Sequence, residues 1–269
     1  MPTDTNADDP VLRLLADSDL EIEGRLVDAS NLALRVWVGA GESRTAAVYK
    51  PIQGERPLWD FPDGSLAGRE LAASLVSDAT GWGFVPRTVL RDGPLGVGTV
   101  QEWVGPLDGR EDPDFVRIDD PSQVPAGNVV VLMVRDDANR PLVVSHSDTP
   151  RLRTLALFDA LLNNADRKAG ALLADGDDFW AIDHGLCFHE EEKLRTVFWG
   201  FAGDPIAEAD LAALQRFSNA LDAECGDELA EVLTPVEIEA LDDRLHRLLS
   251  TRVMPAVPDD RHPLPWPLW

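Results

Sequence analysis

Lysine is nearly missing from this chain: of 24 basic residues only Lys50, Lys168 and Lys193 are lysines, and the rest are arginines. Positive charge as a whole is scarce, because 48 acidic residues leave a formal net charge of −24. That balance runs against a nucleic-acid binder, whose affinity comes from cationic contacts to phosphates. It also runs against electrostatic docking on an anionic membrane, and no dense Lys/Arg run offsets it. The two cysteines, Cys187 and Cys225, are too few for a disulfide framework or a zinc cluster. Long apolar runs are absent too. The longest spans residues 129–134, against the roughly 20 residues that cross a bilayer. The acidic, polar start of the chain does not read as a secretory signal, so a soluble cytoplasmic protein is expected.

What is present suits a folded body. The 269 residues are 44% hydrophobic and 27% charged, enough for one two-lobed domain or two small ones. Apolar and polar residues alternate from Leu20 to Lys50 around two polar turns, which predicts a three-stranded antiparallel meander. A loop over 51–64, rich in Pro and Gly and carrying Trp59, precedes a helix over 65–80 that Gly81 stops. Two more strands are expected at 85–90 and 98–104. Residues 106–126 are polar and read as a linker or insert. A hairpin over 129–144, an amphipathic helix over 151–162, a strand at 179–182 and helices near 206–221 and 235–249 follow. Thr234, Pro235 and Glu237 form a capping-box start for the last helix. The Pro/Trp-rich tail from Met254 is expected to lie extended against the body.

Three segments carry the residue types of phosphoryl transfer. Lys50 closes the third strand, and Glu70 follows inside the next helix. In a nucleotide kinase a strand lysine meets the phosphates and a helix glutamate holds it. Asn163-Asn164-Ala165-Asp166-Arg167-Lys168 ends an apolar helix. There Asp166 can accept the proton of an acceptor hydroxyl and Lys168 can neutralise the moving phosphoryl group. Ile182-Asp183-His184-Gly185 leaves a buried strand, where Asp183 can hold Mg²⁺. Singly, each has an ordinary reading: a solvated strand lysine, a surface helix glutamate, turn-forming aspartates. Their order gives them weight, and two of the three lysines fall where this chemistry needs a compact ammonium.

With these motifs the chain resembles the phosphatidylinositol 3-/4-kinase-like branch of the protein-kinase-like superfamily. More closely, it is similar to an actinobacterial family of phosphatidylinositol-kinase-related proteins, on residues 48–52, 54–62, 163–168, 182–188 and 193–196. The resemblance implies an α+β, two-lobed protein-kinase-like fold: a small antiparallel sheet plus one helix, then a mainly helical lobe. Residues 1–19 would be a tail, 20–104 the small lobe, 105–253 the large lobe and 254–269 a C-terminal tail. It implies that Lys50 contacts ATP and Glu70 holds it. The hinge would be formed by Glu102, Trp103 and Val104, with backbone groups of Glu102 and Val104 meeting the adenine. Ser30 and Asn31, in the turn 28–31, would cover the phosphates. Asp166 and Lys168 would be catalytic, and Asp183 would bind Mg²⁺.

The sequence departs from the family in three places. Lipid kinases carry His where Lys168 stands, Ala171 occupies the place of a metal-binding Asn, and no Gly-rich phosphate loop is present. A second Mg²⁺ would need Asn163, Asn164 or His184. The expected activity is ATP- and Mg²⁺-dependent transfer of the γ-phosphoryl group to a hydroxyl of an unidentified small molecule, a protein or the chain itself. A nucleotide-binding pseudokinase and an AMP transferase are the alternatives. A transition-metal site from His146, His184 and His189 matches no zinc spacing, and Ser145-His146-Ser147-Asp148 is too local for a hydrolase triad.

Overall fold

The computed structural model describes residues 9–26, 31–108, 114–176 and 178–269. Its first helix, α1 (Pro10–Asp17), starts where the Asp9 carboxylate accepts the Val11 N–H at 2.8 Å and Pro10 enters the first turn. The alternating stretch becomes three antiparallel strands, β1 (Leu20–Arg25), β2 (Leu34–Val38) and β3 (Thr45–Pro51). Side chains of one strand face point together, so Leu34, Val36 and Val38 meet Ala47 and Tyr49 and close over Leu15 and Val100.

A loop leads from β3 to α2 (Leu66–Thr80), after which β4 (Thr88–Gly93) and β5 (Gly96–Glu102) complete a five-stranded antiparallel sheet in the order β1-β2-β3-β5-β4. The N-terminus of α2 is capped from that loop, where the Glu55 carboxylate accepts the Leu66 and Ala67 N–H groups at 3.2 and 2.9 Å. Gly81, at φ 74, ends the helix as predicted. The strand β4 begins later than the apolar run at 85–90 suggests, because Phe84 and Val85 join the core of the other lobe. At Gly98 a Cβ would lie 2.4 Å from the Lys50 carbonyl oxygen, so only glycine lets β5 run against the end of β3.

The second lobe is mainly helical but holds its own small sheets. The segment read as a linker contains β6 (Val116–Asp119), which joins β7 (Asn128–Arg135) and β8 (Pro141–Ser147) in the order β6-β8-β7. Only Val116 on β6 is buried, which is why its composition reads as polar. The following helix, α3 (Pro150–Leu162), is capped by Thr149 and is not amphipathic as expected: from Leu155 to Leu162 every residue is buried. A hairpin of β9 (Leu172–Asp175) and β10 (Asp178–Ala181) comes next. Three helices close the lobe: α4 (Glu208–Leu221), the short α5 (Glu224–Ala230), and α6 (Pro235–Thr251) with the predicted capping box in place.

Helix α2 serves both lobes. One side rests on β4 and β5, while Ala72, Ala73 and Val76 enter the large-lobe core beside α4 and α5. The C-terminal tail lies against the body without regular structure. The Pro263 carbonyl accepts the Thr196 N–H at 3.1 Å and the Trp199 indole N–H at 2.6 Å, and the Leu268 carbonyl accepts the Ala169 N–H at 2.9 Å. The chain is thus an α+β protein of two lobes, and no helix among the described residues is long and apolar enough to cross a membrane.

One buried ion pair joins α2 to α6. Arg69, 1% exposed, binds the Glu237 carboxylate, whose other oxygen accepts the Thr234 N–H at 2.8 Å. Removing Glu237 leaves an uncompensated buried guanidinium. Glu237→Ala is therefore expected to cost about 3–5 kcal/mol in a urea titration, against about 1 kcal/mol for loss of the cap alone in Thr234→Ala.

Candidate active site

Lys50 joins the two lobes at the mouth of the gap between them. Its Nζ donates to Glu70 Oε1 at 2.8 Å and to Asp183 Oδ1 at 2.9 Å. Glu70 is buried on α2, and its second oxygen, Oε2, has no hydrogen-bond partner. Asp183 stands just after β10 with φ 60, a left-handed conformation that Asp tolerates better than most residues. Its side chain is 64% exposed into the gap between the lobes. Lys50 holds the Asp183 carboxyl below the usual carboxylate range, against the opposing effect of desolvation. Burial disfavours the Lys50 charge, but Asp183 and Glu70 outweigh it and keep the ammonium above its ordinary range.

The turn bearing Asp166 is fixed from below by a buried network. Asp159 on α3, fully buried, receives the Arg167 Nε at 3.0 and 2.9 Å and the Asn164 Nδ2 at 3.0 Å. Arg167 spends its remaining donors on the Ile182 and Ala171 carbonyls, at 3.1 and 3.3 Å, and on His184 Nε2 at 2.8 Å. With Arg167 donating, His184 is neutral with its proton on Nδ1; burial, and then Arg167, push its pKa well down. One guanidinium thereby ties the Asp166 turn to the strand end that carries Asp183. Asn164 Oδ1 accepts the Asp166 N–H at 2.9 Å, and Lys168 Nζ lies 2.9 Å from Asp166 Oδ2. Desolvation raises the Asp166 carboxyl and the like charge of Asp183 adds to it, against Lys168 and Arg195.

Between the lobes lies a cavity of about 580 Å³, within the size range of small-ligand sites. Its small-lobe wall is formed by β1, β2 and β3 through Arg25, Arg35, Val48 and Lys50, and its floor by Leu173, Ile182 and Asp183. Glu102, Trp103 and Val104 line the connection between the lobes. The Glu102 N–H donates to the Arg87 carbonyl at 2.8 Å and the Trp103 N–H to Ala46 at 3.2 Å. The Val104 N–H makes no hydrogen bond among the described residues. Arg35 donates to the Leu107 carbonyl at 2.8 Å and stands 5.5 Å over the Trp103 ring, bracing this connection from β2.

The structure brings Lys50, Glu70 and Asp183 into direct contact and puts Asp166 within electrostatic reach of Asp183. Asn31 does not line the cavity; its Oδ1 accepts the Arg56 N–H at 2.9 Å. Ser30 lies outside the described residues. The three side chains considered for a second metal are used elsewhere. Asn163 is bonded to His189, Glu191 and Lys193, Asn164 to Asp159 and Asp166, and His184 to Arg167; all three are fully buried. No cluster of three or more His, Cys, Asp or Glu suited to a metal forms among the described residues.

Sequence reasoning passed over two parts of this arrangement. Asp159 was visible as a lone acid inside the otherwise apolar run 155–162, a pattern that demands a buried cation. The loop before α2 is a strut: Glu55 caps the helix, and Asp60 receives Lys193 Nζ at 3.1 Å, an ion pair from this loop to the large lobe.

No protein-family model matches the chain. Protein Rv2133c of Mycobacterium tuberculosis (strain ATCC 25618 / H37Rv) is 45% identical over 264 residues, covering 94% of this chain and 94% of that protein. Among solved structures, the Helicobacter pylori proinflammatory kinase CtkA aligns at 11% identity with a TM-score of 0.47, covering 89% of this chain and 94% of that one.

Because Lys50 is the main cause of the low Asp183 pKa, Lys50→Met is expected to move that carboxyl upward. Carboxylate-detected NMR titration of wild type and variant measures the shift, with a midpoint at higher pH in the variant.

Proposed function

We propose that this chain, which belongs to the family of Mycobacterium tuberculosis Protein Rv2133c, is an ATP- and Mg²⁺-dependent kinase-like phosphotransferase acting on a hydroxyl group. The observation that carries this reading is the Lys50 ammonium bonded to both Glu70 and Asp183 at the wall of the interlobe cavity. An ammonium has three donors. Two are engaged here, which leaves one for a phosphate oxygen.

In this reading the adenine lies along residues 102–104, where the open Val104 N–H is a donor, and the triphosphate runs toward Lys50. Arg25, also on the cavity wall, has no ion pair or hydrogen bond for its guanidinium among the described residues. It supplies positive charge where no Gly-rich loop exists. The donor set fits Mg²⁺: a carboxylate oxygen on Asp183, a second carboxylate nearby on Asp166, and a net negative charge on the Lys50–Glu70–Asp183 group. Mg²⁺ is ordinarily held by one or two carboxylates together with substrate phosphates, so no three-residue cage is needed. When bound, it would neutralise charge on the phosphates. Asp166 takes the proton of the acceptor hydroxyl, and its raised pKa suits that role. The acceptor oxygen bonds to the γ-phosphorus as the bond to the β–γ bridging oxygen breaks. Lys168 stabilises the charge on the transferred group, and ADP leaves. The acceptor belongs to a small molecule, a protein or the chain itself.

A second reading, nucleotide binding without turnover, is favoured by Ala171 and by the engagement of Asn163, Asn164 and His184 elsewhere. AMP transfer is a third outcome of the same test. Titration of Mg-ATP by calorimetry is expected to show binding to wild type and its loss in Lys50→Ala and Asp183→Ala. Intact-mass analysis after incubation, and after adding candidate acceptors, should show gain of one phosphate. Asp166→Ala should keep ATP binding and lose about 10²–10⁴-fold in rate. A gain of one AMP assigns an AMP transferase. Absence of Mg-ATP binding by wild type overturns the proposal.

A further inference from the structure

A second cavity, of about 280 Å³, lies in the large lobe between α6 and the chain that follows it. Three of the 24 basic residues of this acidic protein line it: Arg244, Arg247 and Arg261. The rest of the wall is mostly apolar, with Leu194, Trp199, Leu248, Val253, Met254 and Pro255.

The three arginines differ in how their charge is met. Arg247 pairs with Glu192, also on the wall, at 2.6 Å, and Arg261 pairs with Asp260 at 3.0 Å. Arg244 makes no ion pair among the described residues. It is 3% exposed and donates only to the Leu161 and His189 carbonyls, at 3.0 and 3.3 Å, and its Nη2 has no partner. Arg69 and Arg167, the other two deeply buried arginines among the described residues, are each bonded to a carboxylate, Glu237 and Asp159. A guanidinium removed from water with no carboxylate bonded to it is costly, and burial pulls the Arg244 pKa down to about 10, outweighing the opposing charge of Glu192 nearby. A second unmet donor, Arg261 Nε, adds to the deficit.

We propose that this cavity binds a small organic carboxylate with an apolar body. The single guanidinium without an ion pair calls for one negative charge, its unmet Nη2 suits a carboxylate oxygen, and the apolar wall accommodates a hydrocarbon group. The site is separate from the interlobe cavity: none of its residues lines that one.

The test is a titration with sodium hexanoate followed by calorimetry and thermal unfolding, with 1-hexanol and inorganic phosphate as comparison probes. Wild type is expected to bind hexanoate saturably and more tightly than either comparison probe. Lys50→Ala should bind hexanoate as wild type does, whereas Arg244→Met should weaken it at least tenfold. If Arg244→Met fails to fold, Val253→Trp, which fills the cavity from a partly exposed wall position and keeps all three arginines, should abolish binding. No saturable hexanoate binding overturns the proposal, as does undiminished binding in Val253→Trp or in a folded Arg244→Met. Equal affinity for 1-hexanol would make the site merely apolar, and tighter binding of phosphate would make it an inorganic-anion site. Either result also overturns the assignment.

Discussion

Three chain segments far apart in sequence converge on the Lys50 ammonium: the end of β3, the middle of α2 and the residue pair that follows β10. Its geometry depends on the backbone at each end. Gly98 lets β5 press against the Lys50 carbonyl, and the left-handed backbone of Asp183 turns a carboxylate toward the gap. Two carboxylates around one ammonium leave the group net negative, a state that surface solvation alone would hold only weakly. Here Glu70 is buried and Lys50 is 21% exposed, so screening by water is reduced. The arrangement is one that arginine could not reproduce. A planar fork satisfies one carboxylate well, whereas a compact ammonium can face two from different directions and keep a donor in reserve.

A second support lies beneath it. The Asp159–Arg167 pair anchors the Asp166 turn to α3 and, through the Ile182 carbonyl, to the strand end that bears Asp183. Because α2 is packed into the large-lobe core by Ala72, Ala73 and Val76, Glu70 is also referenced to that lobe. The pieces around the cavity are therefore positioned mainly from the large lobe, with the sheet of the small lobe laid over them.

The sequence made the small-lobe meander legible because strand alternation there is regular and one-sided. It also made α6 legible, because its capping box uses local chemistry. Lys50 and Glu70 could be paired in advance by order and residue type, whereas the sequence offers Asp183 only as a metal ligand and its bond to the same ammonium emerges from the fold. The parts that stayed hidden share a physical cause. The strand β6 has four residues and one buried side chain, so its period is too short to register. Helix α3 is buried all round from Leu155 onward, so it carries no stripe to read. The Asn31 side chain could be named but not aimed, since its partner, the Arg56 N–H, belongs to a loop whose path depends on Gly54 packing against Leu32.

Every ε-amine in this protein is already committed to a carboxylate: Lys50 to Glu70 and Asp183, Lys168 to Asp166, and Lys193 to Asp60. Two of the three hold one lobe to the other, and the third sits in the Asp166 turn. Amine-directed reagents, whether acylating probes, crosslinkers or coupling chemistries for surfaces, would therefore find no inert lysine on which to react. Lysine labelling of this protein is labelling of its centre, and a neutral handle for attachment has to be introduced elsewhere.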